Sequence, residues 1–165
     1  MSNQVSFSTL YTAKVPLTAA DTLNDRVVPF FEEHQVDILR ILTDRGTEYC
    51  GRLDKHPYQL YLQLHEIEHT RTRARRPQSN GICERFHRTM LNEFYRIAFR
   101  KKIYRTLDEL QDDVDSWLLE YNEQRPHTGK YCFGKTPMET FIDSVALAKD
   151  KMLDSNLQTE AAVSG

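Results

Sequence analysis

Hydrophobic positions change their period several times along these 165 residues. From Gln4 to Tyr11 they alternate, with Val5 and Phe7 on one side, and a period of two predicts a strand. Thr18-Ala19-Ala20-Asp21 follows, a capping-box-like start that puts Asp21 in the first turn of a helix. Leu23, Val27, Phe30 and Phe31 then recur at helical spacing, which predicts an amphipathic helix from Thr18 to His34 despite Pro29. Ile38-Leu39-Arg40-Ile41-Leu42-Thr43 is a short apolar run rich in β-formers, predicted as a buried strand. It runs into Asp44-Arg45-Gly46, a turn signal.

The second half of the chain is more helical. A helix is predicted from Asp54 to His65 with Leu60 and Leu64 inward, then a strand or extended segment from Ile67 to Ala74. Arg75 to Gly81 reads as a loop from its Pro, Asn and Gly. Ile82, Phe86, Met90, Phe94 and Ile97 mark a long helix ending near Phe99. Thr106-Leu107-Asp108-Glu109 is a capping box opening a helix to about Gln124, with Leu107, Leu110, Val114, Trp117, Leu118 and Tyr121 inward. Thr136-Pro137 starts the last helix with Pro at its first position, and residues 151–165 are expected to be a flexible tail. Strands interleaved with helices point to an α/β layer fold, with one domain over residues 1–150.

Composition changes this picture little. The apolar fraction of 39% and charged fraction of 28% are ordinary for a soluble domain, so cytoplasmic residence is the default expectation. The opening residues lack the basic stretch and apolar core of a signal peptide. Cys50, Cys83 and Cys132 form no C-x-x-C pair, and no histidine joins them at zinc-ligand spacing. The net charge of −2 argues against a generic nucleic-acid binder, but the charge is uneven. Arg71, Arg73, Arg75 and Arg76 crowd one stretch, and Arg96, Arg100, Lys101, Lys102 and Arg105 crowd another. A locally basic face on a near-neutral chain can still track phosphates, although each cluster alone is compatible with a solvated surface.

Two acids carry candidate chemistry. Asp44 lies where a strand runs into a Gly turn, at the rim of the expected sheet, open to metal and substrate. Asp is also a common turn former, so the position alone says little. Glu84 shares a helix face with His87 and Arg88, opposite Phe86 and Met90. An ordinary surface pair between Glu84 and Arg88 would explain it without chemistry.

Three ordered motifs raise both acids above that reading. Thr43-Asp44-Arg45-Gly46-Thr47-Glu48-Tyr49 is followed by Arg76-Pro77-Gln78-Ser79-Asn80-Gly81-Ile82-Cys83-Glu84-Arg85-Phe86-His87. Tyr121-Asn122-Glu123-Gln124-Arg125-Pro126-His127 then precedes Gly134-Lys135-Thr136-Pro137-Met138-Glu139. The set resembles the retroviral-integrase-like, DDE-type catalytic core of bacterial insertion-sequence transposases, over Leu10 to about Phe141. The resemblance implies a ribonuclease H-like fold and an Asp, Asp, Glu triad holding two divalent ions, Mg²⁺ or Mn²⁺. Asp44 matches the second Asp and Glu84 the Glu, so both are the expected catalytic residues and metal ligands. Hard cations require such oxygen donors, and two of them clamp a scissile phosphate between attacking and leaving oxygens.

The family's first Asp lies on the opening strand, and no acid before Asp44 matches it: Asp21 and Asp25 fall in the predicted helix, and Asp37 sits just ahead of the Asp44 strand. The expectation is therefore an integrase core truncated at its N-terminus, without its opening sheet strands and inactive alone. The resemblance implies DNA as partner, both element ends and target, and assembly as a homo-oligomer or with full-length transposase. Arg71, Arg73, Arg75, Arg76, Arg85 and Arg88 are the expected phosphate contacts, while Asn80 and Gly81 would let the backbone approach DNA closely. The competing expectation is a non-catalytic DNA-binding or oligomerisation module that interferes with full-length transposase.

Overall fold

The computed structural model describes residues 5–52, 55–72, 81–128 and 133–163, with side chains described to residue 151. Its elements are α1 (Pro16–Thr22), α2 (Val28–Glu33), β1 (Arg40–Thr43), α3 (Pro57–Leu64), β2 (Glu68–Arg71), α4 (Gly81–Met90), α5 (Arg96–Lys101), α6 (Leu107–Glu123) and α7 (Pro137–Val163). They fall into two compact units, Phe7–Ser116 and a smaller one made of Met1–Ser6 with Trp117–Gly165.

The larger unit is built on a parallel pair, β1 with β2, in the register Arg40↔Glu68 to Thr43↔Arg71. Two similar connections deliver the chain to these strands. After α2, Gln35 takes a left-handed φ of 55° and Val36 N–H bonds back to Phe31 O. After α3, Glu66 does the same at 57°, and Ile67 N–H reaches Leu62 O. Both are Schellman closures made without glycine, and each turns a helix end into the approach to a strand. α1 and α3 pack together on one face of the pair, burying Ala20, Leu23, Tyr58, Leu62 and Ile67 as one cluster.

Several expectations are corrected. Residues 5–11 form no strand. Leu10 N–H instead bonds to the Gln111 side chain on α6, and that amide donates to Ser8 O. Within the smaller unit, Ser6 N–H and C=O are both engaged by the Asn122 amide. Side-chain amides thus stand in for a neighbouring strand, because among the described residues no strand lies beside this segment. The first helix starts at Pro16, not Thr18, with Val15 as its cap residue. Asp21 is consequently outside the first turn, and its carboxylate accepts the Tyr11 hydroxyl at 2.6 Å.

Leu60 and Leu64 are exposed, not inward, and Leu62 is the buried leucine of α3. β1 is not buried through its length either. Ile41 packs on the core, but Leu42, on the opposite face of the strand, is exposed, as is Leu39 just ahead of it.

Two π-helical turns explain two further points. One, at Leu23–Val27, lets Val28 N–H reach back five residues to Leu23 O, just ahead of Pro29. Widening the turn there makes room for a proline ring that a regular helix would reject. The other, at Leu91–Tyr95, adds a residue to the α4–α5 run. Met90 and Phe94 stay buried, but the positions beyond rotate off the stripe, and Ile97 is exposed where periodicity placed it inward. Ile82, at the start of that run, is also exposed, as is Leu107 at the start of α6.

The capping expected at Thr106 holds. Glu109 N–H donates to Thr106 Oγ1, and Glu109 Oε2 accepts Arg105 N–H. In the smaller unit Thr136 and Glu139 bond reciprocally, with Pro137 opening α7. α7 is helical to Val163, through most of the residues expected to form a tail. No helix among the described residues is long and apolar enough to cross a membrane.

Candidate functional site

Asp44 is the first residue beyond β1, and the loop after it is held from several sides. Its Oδ1 accepts Gly46 N–H at 2.8 Å, an Asx turn that reverses the chain at once. Tyr49 and Cys50 N–H both bond to Gly46 O, closing a further turn. The loop is then pinned to α3: His56 Nε2–H donates to Thr47 O at 2.8 Å, and Gly51 N–H donates to Gln59 Oε1 at 2.9 Å. Tyr49 meets Tyr58 edge-on at 5.3 Å. Asp44 is itself exposed, so the anchoring presents its carboxylate to solvent.

Glu84 sits in the first turn of α4, where the helix dipole favours an anion, and is exposed. It forms no ion pair with Arg88 among the described residues. Cys83 reports where the two acids lie: crowding around its sulfur pushes the thiol pKa up, and the charges of Asp44 and Glu84 push it further in the same direction. One thiol therefore feels both carboxylates, although 39 residues separate them in sequence. A thiol held protonated is a poor ligand for a hard cation, so Cys83 does not extend the donor set.

The expected basic residues divide. Arg73, Arg75, Arg76 and Asn80 lie outside the described residues. Arg71 ends β2, Arg85 and Arg88 lie on α4, and all three are exposed. None of them pairs with an acid among the described residues, in contrast to Arg26 with Asp115 and Arg40 with Glu68. Gly81 opens α4, and a Cβ there would meet nothing within 4 Å among the described residues. Arg125 and His127 belong to the smaller unit, where both lie against the Tyr121 ring, and His127 also exchanges backbone hydrogen bonds with Gly134 and Lys135.

Sequence reasoning missed Glu48 and Lys14. The Glu48 carboxylate is turned inward, 7% exposed, and its Oε1 lies 2.7 Å from Lys14 Nζ. A Cβ on Gly46 would fall 2.4 Å from Glu48 Oε2, so that glycine makes room for the carboxylate. A Gly two residues before an acid was the available signal, and it reads equally well as a plain turn.

The family resemblance calls for two divalent ions. Among the described residues no group of three or more His, Cys, Asp or Glu side chains is placed to hold a metal ion. Asp44 and Glu84 supply two carboxylates, and Glu48 is engaged by Lys14. This donor set does not fit a two-ion clamp, which needs carboxylates shared between both cations.

Residues 65–131 match the family described as integrase core domain. The chain is integrase-core-like. A viral protein designated as an integrase, ORF3 of Spiroplasma virus SpV1-C74, is 30% identical over 139 residues, which is 79% of this chain and 36% of that protein. An uncharacterized protein of insertion element IS136 from Agrobacterium tumefaciens strain T37 is 30% identical over 87 residues, 53% of this chain and 40% of the relative. The chain thus spans about two-fifths or less of the length of these curated relatives. Among solved structures, the catalytic core domain of BIV integrase superposes with a TM-score of 0.56 at 20% identity, covering 86% of this chain and 80% of that one. The integrase-core-like chain therefore has the ribonuclease H-like fold, as expected from its motifs.

Proposed function

We propose that this chain carries the second Asp and the Glu of a DDE-type DNA strand transferase core, in Asp44 and Glu84. The observation that carries the reading is the placement of Asp44 just beyond the end of β1 and of Glu84 in the first turn of α4, within a stretch similar to an integrase core. Around them, Arg71, Arg85 and Arg88 offer guanidinium groups not committed to acids among the described residues, and Arg73, Arg75, Arg76, Asn80 and Gly81 extend the same DNA-facing role along the chain. The relatives' names, an integrase and an insertion-element protein, support DNA integration as the process and element ends and target DNA as partners.

The carboxylates that the described residues supply fall short of holding two ions. The polypeptide is therefore expected to bind DNA without cutting it. It would act in a homo-oligomer or with full-length transposase, in the cytoplasm; the alternative reading is a non-catalytic DNA-binding or oligomerisation module that interferes with full-length transposase. A plasmid nicking and strand-transfer assay with Mg²⁺ and with Mn²⁺, comparing the natural chain with Glu84→Gln, tests this. No cleavage by folded protein is the expected result. Metal-dependent cleavage that disappears in Glu84→Gln would show that two acids suffice and overturn the inactivity.

A further inference from the structure

Glu48 is a carboxylate folded inward beside an acidic site, and such a group needs a counter-charge. The loop leaves it little freedom: the carboxylate packs so closely on Gly46 that its three outer atoms lie 2.4–2.6 Å from where a Cβ would sit. The counter-charge comes from the segment ahead of α1. Lys14 Nζ lies 2.7 Å from Glu48 Oε1, and the lysine side chain is 76% exposed along its length. Glu48 holds the ammonium protonated, through a hydrogen bond first and its charge second, and Asp44 adds to the same effect from further away. The one geometric contact is with Glu48, so the tethered cation serves that carboxylate first.

We propose that Lys14 is the resident cation of this acidic loop, its ammonium giving Glu48 the charge balance that a divalent ion would otherwise have to supply. Two consequences follow from the geometry. The chain needs no divalent ion to hold the Asp44 loop in place. The ammonium also keeps such an ion away from Glu48, because two cations on one carboxylate repel. Removing the charge, with the side-chain length retained, uncovers an oxygen-donor pair that a hard cation can enter. The inference rests on the Lys14–Glu48 contact and not on strand transfer, so its test reads stability and ion binding, and DNA cleavage has no bearing on it.

The experiment uses the full 165-residue chain in thermal unfolding and in Mn²⁺ titrations followed by electron paramagnetic resonance. The natural chain and Lys14→Arg should show no Mn²⁺-dependent rise in Tm. Lys14→Met should have a lower Tm, bind Mn²⁺ about tenfold tighter or more, and recover its Tm as Mn²⁺ is added. Combining Lys14→Met with Glu48→Gln should abolish that gain. If Lys14→Met does not fold by itself, folding on addition of Mn²⁺ supports the assignment, and failure to fold with Mn²⁺ overturns it. Equal Mn²⁺ affinity in the natural chain and Lys14→Met overturns it as well, and leaves the contact an ordinary ion pair.

Discussion

The hydroxyl of Thr43 donates to the Asp44 carbonyl at 2.9 Å and lies 2.8 Å from His69 Nε2. With its one proton directed at that carbonyl, the hydroxyl accepts from the imidazole, which places a proton on Nε2 and ties β2 to the strand end that presents Asp44. His69 is a poor place for a second proton. Burial lowers its pKa below the ordinary 6.5, and the nearby charges of Arg71 and His56 lower it further. The sign of the resulting pH dependence follows. In the unfolded chain the imidazole takes up its proton near 6.5, while in the folded chain it resists until a lower pH. Between those two values the unfolded state binds more protons, so stability falls as pH drops through that window and rises above it. Urea unfolding of the natural chain should therefore show a midpoint that declines from about pH 7.5 to about 5.5. In His69→Gln the decline over the same range should be shallower. An identical decline in the two proteins would place the acid sensitivity on other groups.

α3 shows how packing decides between residues that look alike in sequence. Leu60, Leu62 and Leu64 alternate, and helical periodicity admits Leu60 with Leu64 as the inward pair. Only Leu62 is buried, at 1% exposure, against Ala20, Leu23, Tyr58 and Ile67. The helix starts three residues later than its first turn signal, and Tyr58 with Gln59 joins the buried side, because the Asp44 loop has to be met from this helix. Leu62→Ala should cost about 2–5 kcal/mol, the range for a buried leucine that leaves a cavity. Leu64→Ala should stay within about 0.5 kcal/mol. Chemical denaturation of both variants checks the pair, and similar losses at the two sites would contradict the assigned face. The same contrast shows what was legible in advance. The capping box at Thr106, the helix start at Thr136-Pro137 and the α/β class were readable, because local chemistry fixes them. The strand expected at Gln4–Tyr11 was not, since a strand exists only with a partner beside it, and the burial of Leu42 failed for the same reason. The inward turn of Glu48 was beyond reach as well, because it depends on a lysine 34 positions earlier and on the missing Cβ of Gly46.

At the scale of the whole molecule, a net charge of −2 and a sequence pI of about 6.3 give no long-range attraction toward DNA. Affinity must then come from short-range contacts by guanidinium groups that acids in the chain leave free, and it must fall steeply with salt, since each phosphate contact releases condensed counterions. Arg26 is committed to Asp115 at 3.0 Å, which also bonds to Gln111, so its charge is largely spent inside the protein. Arg85 and Arg88 have no such acid among the described residues and stand on the helix that carries Glu84. Substituting both with alanine should weaken binding to duplex DNA to a similar degree whatever its sequence, and should lower the slope of log K against log salt by about 2. Arg26→Ala should leave that slope unchanged. Fluorescence anisotropy across a series of NaCl concentrations measures all three proteins under one protocol. If the double variant keeps the natural slope, α4 does not face phosphate, and the DNA-binding surface must be sought on other basic residues. If Arg26→Ala lowers the slope as much as the double variant does, pairing with acids is not what decides which arginines bind.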